Sequence, residues 1–278
     1  MKIIYDFGAN NGDDIPYYLK KGNRVVAVEA NPSLASHIRD RFAKEILLNK
    51  VVVVNKALTK EEIVGAVPFY VHKTNDVLSQ FPRPSLDNFG DFHEIFVPSQ
   101  RASEIIKEFG DPYYVKIDIE SYDQAILEDI FSSNLRPAFI SAESHNIEVF
   151  ASLVASGGYK SFKLVDGASV ANEYEQHSIT TSQGLERYSF PHHSAGPFGD
   201  DIRGPWLTAN NMFNLLANEG LGWKDIHATN TAAPDPQYIP VPGGGMGLKK
   251  CLQLLPRLAL RAVRNRFRAT VLNTRRKW

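Results

Sequence analysis

Two acidic residues, each placed in or just after a short apolar run, are the part of this sequence best suited to bind a ligand. Asp6 lies in Ile3-Ile4-Tyr5-Asp6-Phe7, and Glu29 follows Val25-Val26-Ala27-Val28. Such runs predict buried parallel strands, whose carboxyl ends hold ligands in open α/β sheets. Gly8 permits a sharp turn, and Gly12 opens the next helix, whose free N–H groups face the same crevice. The two acids are 23 residues apart, close to the separation expected of a ribose-binding carboxylate.

The turn after the first strand is not a dinucleotide fingerprint. G-x-G-x-x-G would need glycine at position 10, where this chain has Asn10. The order D-x-G-A-N-x-G resembles instead motif I of methyltransferases that use S-adenosyl-L-methionine (SAM). Asp6 would offset the positive charge of SAM directly or through water. A tight strand-to-helix connection is the alternative for the turn alone, and a strand end or helix cap is the alternative for Glu29 alone.

The composition predicts a soluble, cytoplasmic protein. The chain has 278 residues, 43% of them hydrophobic, so a sizeable core is expected. Cys251 is the single cysteine, which excludes an internal disulfide framework and a cysteine-based zinc site. No apolar signal segment opens the chain and no apolar run is long enough to cross a membrane. Formal net charge is zero, but from Gly243 onward there are ten basic residues and no acid.

Alternating strand and helix patterns predict an α/β fold with a parallel sheet and helices on both faces. Further strands are expected at Val51–Val54, Tyr113–Ile119, Ala138–Ala142 and Tyr159–Val165. Leu185–Phe190 is expected to be a seventh strand beside the sixth, and Val67–His72 an edge strand. Residues 73–100 contain Pro82, Pro84 and Pro98 and are predicted to form a long loop that acts as a lid. A disordered insertion is the alternative.

Four motifs in order are similar to those of the FkbM-type methyltransferases. They are Tyr5–Gly12, Val28–Pro32, Asn55–Leu58 and Lys116–Glu120, and the similarity covers residues 3–165. The resemblance implies a Rossmann-like class I methyltransferase with a seven-stranded, mostly parallel sheet, its last strand antiparallel, plus a C-terminal extension. It implies SAM as cofactor, bound by Asp6, Gly8, Asn10, Gly12, Glu29, Ala30, Asn31, Ala57, Asp118 and Glu120. Ser121 departs from the pattern, because the family usually has glycine there.

Methylation of a hydroxyl requires a base, and the candidates follow two predicted strands. Asp118, Glu143 and His145 are the expected catalytic residues, and His145 is the most suitable base near neutral pH. A surface histidine without a role is the alternative. Asp118, Glu120, Glu143 and His145 could also bind magnesium, but nothing in their spacing compels it, and no metal is predicted. His192 and His193 precede a glycine-rich loop that could floor the acceptor pocket, although a structural turn is favoured.

The chain divides into four predicted parts. Residues 1–190 form the SAM-binding domain, 191–230 a cap on the acceptor side, 231–247 a Pro/Gly linker, and 248–278 a basic amphipathic tail. The tail could bind an anionic membrane surface, which would place the protein at the inner membrane. Docking to a partner and a solvated tail are the alternatives.

The function predicted from these features is O-methylation of a glycan, a lipid-linked sugar or another small natural product. A nucleic-acid methyltransferase that uses the basic tail is one alternative. The Asn/Asp-Pro-Pro-aromatic motif of base methylation is missing after Asp118, so no nucleic-acid partner is expected. A non-catalytic module that keeps the fold is the other alternative, and the paired acids Asp6 and Glu29 argue against it.

Overall fold

The computed structural model of the chain describes residues 1–238. Along these residues the strands are β1 (Ile3–Phe7), β2 (Arg24–Val28), β3 (Val51–Val54), β4 (Ala57–Thr59), β5 (Ala66–His72), β6 (Phe92–Arg101), β7 (Pro112–Ile117), β8 (Phe139–Ser144), β9 (Ser161–Asp166), β10 (His177–Thr181), β11 (Gly184–Tyr188) and β12 (Gly222–Thr229). The helices are α1 (Ile15–Lys20), α2 (Pro32–Arg41), α3 (Ala43–Leu47), α4 (Ala102–Phe109), α5 (Asp123–Ser132), α6 (Ile147–Ala151), α7 (Val170–Glu173) and α8 (Ala209–Glu219). A π-helical turn, Ser152–Ser156, continues α6.

The central sheet has seven strands in the order β3-β2-β1-β7-β8-β12-β9. The first five are parallel to their neighbours, and β12 runs antiparallel to both β8 and β9. The predicted fold, a seven-stranded and mostly parallel Rossmann-like sheet, is therefore confirmed. The strand order reverses between β1 and β7, and at such a point open α/β sheets form a ligand crevice beyond the strand ends.

The identity of the antiparallel strand differs from the prediction. Leu185–Phe190 was expected to fill this place, but β11 pairs only with β10 in a two-stranded hairpin. Leu185 is 80% exposed, whereas Ile226 and Ala228 of β12 are fully buried. β12 lies inside the range 191–230 that the sequence assigned to a cap, so the sheet itself extends to Thr229.

Each face of the sheet carries its own apolar core. On one face Val26, Val115 and Ile140 pack with Ile126 and Ile130 of α5. On the other face the alternate strand positions and α1 form a second core, with Ile4, Val25, Ile15, Tyr18 and Phe198 among its members. Alternate residues of one strand point to opposite faces, so strands covered by helices on both sides need uninterrupted apolar runs. These two layers fix the strand ends from which the site is built.

A second, three-stranded sheet includes about the last third of the segment expected to be a lid loop. β6 pairs with β5 in antiparallel and with β4 in parallel orientation, which confirms the edge strand predicted at Val67–His72. Residues 92–100, predicted as loop, are therefore strand. Pro98 and the weak alternation of apolar residues in β6 concealed this strand, because only Val97 in it is fully buried. The part without strands is 73–91, with short 3-10 turns at Asp76–Leu78 and Phe89–Asp91.

The segment between the hairpin and α8 packs on α1. Tyr17 donates its hydroxyl hydrogen to Asp201 at 2.7 Å, and Phe198 stacks on Tyr114 with ring centroids 4.3 Å apart. Within residues 1–238 no helix is both long and apolar enough to cross a membrane. The predicted tail, 248–278, and most of the predicted linker lie outside the described residues.

Candidate active site

The turn after β1 brings its backbone against β2. Gly8 and Ala9 donate their N–H groups to the Val28 carbonyl at 3.0 and 3.1 Å. Gly8, Asn10 and Gly12 have positive φ angles of 79°, 47° and 80°, a conformation open to glycine and tolerated by asparagine. The spacing of the two glycines and Asn10 therefore encodes this compact turn.

Glu29 ties the turn to the end of β2. Its Oε2 accepts a hydrogen bond from the Asn10 N–H and its Oε1 accepts one from the Asn31 N–H, both at 2.8 Å. Burial raises the pKa of Glu29 to about 7, because a carboxylate removed from water is disfavoured. Each oxygen keeps a second lone pair, so the carboxylate can still accept from the hydroxyls of a ribose.

Lys116, the next-to-last residue of β7, is a site residue that sequence analysis missed. Its side chain is 4% exposed, and its Nζ lies 3.0 Å from the Gly8 carbonyl, 3.2 Å from Asp118 Oδ2 and 3.4 Å from Asp6 Oδ1. Burial opposes its charge, but Asp118 and Asp6 raise its pKa well above 10.5. A lysine inside an otherwise apolar strand was the available signal, since a buried ammonium must be paired.

Asp6 lies behind the cavity wall, so of the two predicted modes, direct or indirect contact with the ligand, its position favours the indirect one. Its side chain is 1% exposed, and it does not line the cavity described below. Lys116 contacts it, and burial raises the pKa of Asp6 to about 7. The sequence suggested a direct contact with a cationic ligand as one option. The structure instead gives Asp6 an indirect position, behind the lysine that contacts both Gly8 and Asp118.

A cluster of acids surrounds one histidine at the ends of β7 and β8. His145 Nε2 lies 2.7 Å from Glu143 Oε2 and 3.8 Å from Glu120 Oε2. The contact with Glu143 raises the pKa of His145 to about 9. Burial, together with Asp118 and Glu143, raises the pKa of Glu120 to about 8. The cluster thus combines a histidine in close contact with a carboxylate and a carboxyl that binds its own proton tightly.

A cavity of about 430 Å³ joins the glycine turn to this cluster. This volume is in the range of small-molecule sites. Nine of the predicted site residues line it, namely Gly8, Asn10, Glu29, Ala30, Ala57, Asp118, Glu120, Glu143 and His145. His193, for which a structural turn was favoured, also lines it. The sequence thus placed the histidine and the acids of β2, β7 and β8 around one space.

Gly12 and Asn31, both predicted cofactor ligands, lie outside the cavity wall. A Cβ on Gly12 would meet the Phe42 ring at 3.0 Å, so the glycine serves the packing of the turn against α2. The Asn31 side chain caps α2 by accepting from the Ser33 N–H at 3.0 Å. Their backbones shape the site, but their side-chain positions do not face it.

The opposite wall comes from the segment that precedes β6. Asn75, Leu78 and Phe81 line the cavity, with Phe69 of β5 beside them. Phe81 meets the Tyr122 ring edge to face, with centroids 5.2 Å apart, which connects this segment to the start of α5. Apolar surface here faces the acids across the cavity. The sequence predicted a covering segment but not which of its residues make the wall.

The two histidines of the C-terminal loop differ in position. His193 lines the cavity and stacks on Trp223, with ring centroids 5.8 Å apart and an interplanar angle of 22°. His192 packs against His193 at 4.6 Å and is not part of the wall. Trp223, at the start of β12, also lines the cavity and was not predicted.

Ser121 occupies the position where the resembling family has glycine, and the backbone explains that preference. Glu120 and Ser121 have φ angles of 52° and 69°, in the left-handed region where most side chains are strained. Two consecutive residues in this conformation turn the chain from β7 into α5 and direct Glu120 into the cavity. Strain of this kind is commonly stored at functional sites.

Carboxylate oxygens of Asp118, Glu120 and Glu143 lie within 4.8 Å of one another. Such a set is compatible with a magnesium ion, which prefers oxygen ligands. The raised pKa values of Glu120 and Glu143 show that protons can equally relieve the repulsion among these acids. The expectation that no metal is bound stays a prediction.

Gly8→Ala should destabilise the protein by at least about 3 kcal/mol, since positive φ strain is joined by a backbone clash. A Cβ at this position would lie 1.8 Å from the Asp118 carbonyl oxygen, and neither strand end can move without breaking the sheet. Urea unfolding measures the effect. Gly158→Ala is the matched control, because Gly158 has a φ of 69° but open space around it. It should cost about 1 kcal/mol. Equal losses in the two variants would show that Gly8 is not held against β7.

Comparison with solved structures finds methyltransferases at low similarity. The C-terminal domain of a precorrin-6Y C5,15-methyltransferase from Rhodobacter capsulatus is 12% identical, with a TM-score of 0.38, covering 82% of this chain and 78% of that one. An O-methyltransferase from Bacillus cereus in complex with SAH is 12% identical, with a TM-score of 0.37, covering 82% and 74%. A precorrin-6y C5,15-methyltransferase from Geobacter metallireducens is 16% identical, with a TM-score of 0.34, covering 68% and 73%. The search of curated proteins found no match.

The family comparison is more decisive. The model of the methyltransferase FkbM domain matches residues 6–165, more than half of the chain. This range runs from Asp6 through β1 to β9 and contains the glycine turn, Glu29, Lys116 and the acid–histidine cluster. The seven-stranded, mostly parallel central sheet agrees with the fold that the resemblance to this family implied. The chain therefore belongs to the FkbM methyltransferase family, and its cofactor is SAM.

Proposed function

We propose that this protein is an O-methyltransferase that acts on a hydroxyl of a small polar molecule. One observation carries the proposal: His145 Nε2 lies 2.7 Å from Glu143 Oε2, and both residues line the cavity that also contains Glu29. A histidine oriented by a carboxylate is suited to remove the proton that a hydroxyl must lose during methylation.

The residues of the cavity fit SAM in charge and shape. Glu29 would accept from the ribose hydroxyls, and Asn10, Ala30 and Ala57 would line the nucleoside. Asp118 supplies negative charge opposite a cationic ligand, and Lys116 holds Asp118 at 3.2 Å. Glu120 adds a polar carboxyl to the same wall. Asp6 has both carboxylate oxygens buried without a hydrogen-bond partner, and through Lys116 it fixes the position of the Gly8 carbonyl.

When bound, SAM supplies a methyl carbon activated by its sulfonium. The chain then has two tasks, alignment of the acceptor oxygen and removal of its proton. Because Nε2 of His145 faces Glu143, Nδ1 is the nitrogen available to take that proton. Glu143 stabilises the imidazolium that forms and keeps the ring in place. Leu78 and Phe81 add apolar surface to the cavity wall, which would help to keep water away from the transfer.

The acceptor is proposed to be a glycan, a lipid-linked sugar or a similar polar natural product. Trp223 and His193 place aromatic surface in the cavity wall, and aromatic rings suit the apolar face of a sugar. We propose that the part of 191–230 that precedes β12 covers the acceptor side of the sheet domain. A cytoplasmic location, with residues 248–278 contacting an anionic membrane surface, would suit a lipid-linked acceptor.

The decisive experiment uses SAM labelled with carbon-13 in the methyl group. The protein is incubated with it and with sets of glycans and lipid-linked sugars, and the product is examined by NMR. A signal at the chemical shift of a methoxy carbon supports the proposal. Transfer to a nitrogen or a carbon atom would contradict it, while leaving the family assignment in place.

A further inference from the structure

A second cavity, of about 370 Å³, adjoins the cofactor cavity. The two share Glu120, the residue at the edge of the acid–histidine cluster. The wall of the second cavity is largely polar and includes Gln80, Arg83, Ser85, Asn88 and Ser121. A molecule held there would touch Glu120 and lie next to the place where the proton is removed.

The wall is held in place by contacts on both sides. Gln80 exchanges two backbone hydrogen bonds with Tyr70 of β5, at 2.9 and 3.0 Å. The neighbouring Phe81 packs on Tyr122 at the start of α5. The second cavity is therefore bounded by a segment anchored to the small sheet and to the central domain.

Arg83 provides a positive charge in this wall. Its guanidinium carbon lies 4.3 Å from the centroid of the Phe89 ring, a cation–π contact that restrains the side chain. Among residues 1–238 no carboxylate lies within ion-pair distance of it. An arginine that is oriented, exposed and without an acidic partner is well suited to bind a carboxylate or a phosphate.

Glu120 does not oppose an anion in this place. Burial raises its pKa to about 8, so near neutral pH it is mainly protonated and can donate a hydrogen bond. The shared end of the two cavities is therefore polar without being strongly negative.

We propose that the second cavity is the acceptor subsite and that Arg83 binds an anionic group, phosphate or carboxylate, carried by the acceptor. This inference rests on the proposed function and adds the chemical class of the substrate to it. The methylated hydroxyl would lie toward Glu120 and His145, and the anionic group toward Arg83.

The test measures anion binding at Arg83 by NMR, using the full chain with its arginine side chains labelled with nitrogen-15. Inorganic phosphate and acetate are titrated separately, with and without saturating SAH. Either anion should shift the Arg83 Nε–H signal in a saturable way, with a dissociation constant in the millimolar range. The anion that saturates at the lower concentration identifies the source. Arg83→Gln, which lacks this signal, allows its assignment.

Arg203→Gln is the matched control, because Arg203 is also exposed and also lies over an aromatic ring, that of Tyr174, at 5.2 Å. In the methylation assay with labelled SAM, phosphate or acetate should compete with the acceptor. Arg83→Gln should raise the anion concentration that gives half-inhibition at least tenfold, and Arg203→Gln should leave it unchanged. Absence of a saturable shift at Arg83, or one of equal size at Arg203, overturns the proposal. SAH binding is recorded in the same samples, so a failure of the methyltransferase function is seen separately from a failure of the anion site.

Discussion

Glu29→Gln should weaken the binding of SAM about 100-fold. The carboxylate holds the Asn10 and Asn31 N–H groups at 2.8 Å and is expected to accept from the ribose as well. Glutamine has one acceptor oxygen, so its amide would face one of these N–H groups as a second donor. Hydrogen bonds to a charged acceptor are worth roughly 1.5–3 kcal/mol each, and a net loss of about 3 kcal/mol corresponds to the stated change. Calorimetry with SAM or SAH measures it.

The control for this substitution is Glu108→Gln, an exposed glutamate of α4 outside the cavity. It should leave the affinity unchanged. Thermal unfolding of Glu29→Gln separates a local loss of binding from a loss of the fold. If Glu29→Gln bound SAM as tightly as the parent protein, the ribose assignment would be wrong.

The same carboxyl predicts how binding depends on pH. Burial raises the pKa of Glu29 to about 7 in the protein without ligand. The ionised form is the better acceptor for hydroxyl groups, so affinity should fall as pH decreases below 7, where the proton must first be removed. In Glu29→Gln this part of the pH dependence should disappear.

The sequence predicts those parts of the site that depend on a short apolar run or on one characteristic residue, such as a glycine. Apolar strands that end in acids gave the positions of β1, β2, β7 and β8, and parallel strands necessarily bring their ends to one edge. Glu29, Asp118, Glu143 and His145 therefore fall around one cavity, as expected. The role of Gly8 was equally predictable from the sequence, because a tight turn with a positive φ favours glycine.

The parts that do not follow depend on partners distant in the chain. β12 has polar residues such as Asp225 and His227, which are buried only because β8 and β9 flank it. Burial lowers the pKa of His227 to about 3, a value that no local pattern indicates. Lys116 likewise stays charged inside the protein only because both Asp6 and Asp118 lie beside it. In these cases, contacts with residues distant in the chain determine burial and charge. The hydropathy pattern along the chain does not predict such contacts.

His145→Gln should lower the rate of methyl transfer by a factor of about 10²–10⁴, the usual contribution of a general base. Glutamine keeps a polar group near Glu143 but cannot take up a proton. Affinity for SAH should change little, because His145 contacts Glu143, at 2.7 Å, and is not proposed to bind the nucleoside. The nucleoside is proposed to bind at Glu29, at the other end of the cavity. His37→Gln, an exposed histidine of α2, is the control and should keep the parent rate. Equal rates in His145→Gln and the parent would assign the proton to another group.

The pH profile distinguishes a base from a residue that only shapes the cavity. Glu143 raises the pKa of His145 from 6.5 to about 9, so in the protein without ligand the ring is mostly protonated at neutral pH. A base must be unprotonated, and the rate should therefore increase with pH up to about 9. Glu143→Gln removes the negative partner of His145, so the pKa of His145 should move back toward 6.5. The rising limb of the rate profile should then shift to lower pH.

The maximal rate of Glu143→Gln should still fall, because the imidazolium formed during transfer has lost its stabilising carboxylate. NMR titration of the His145 ring measures the first effect and the rate profile the second, and a limb that stays in place in Glu143→Gln would exclude His145 as the base.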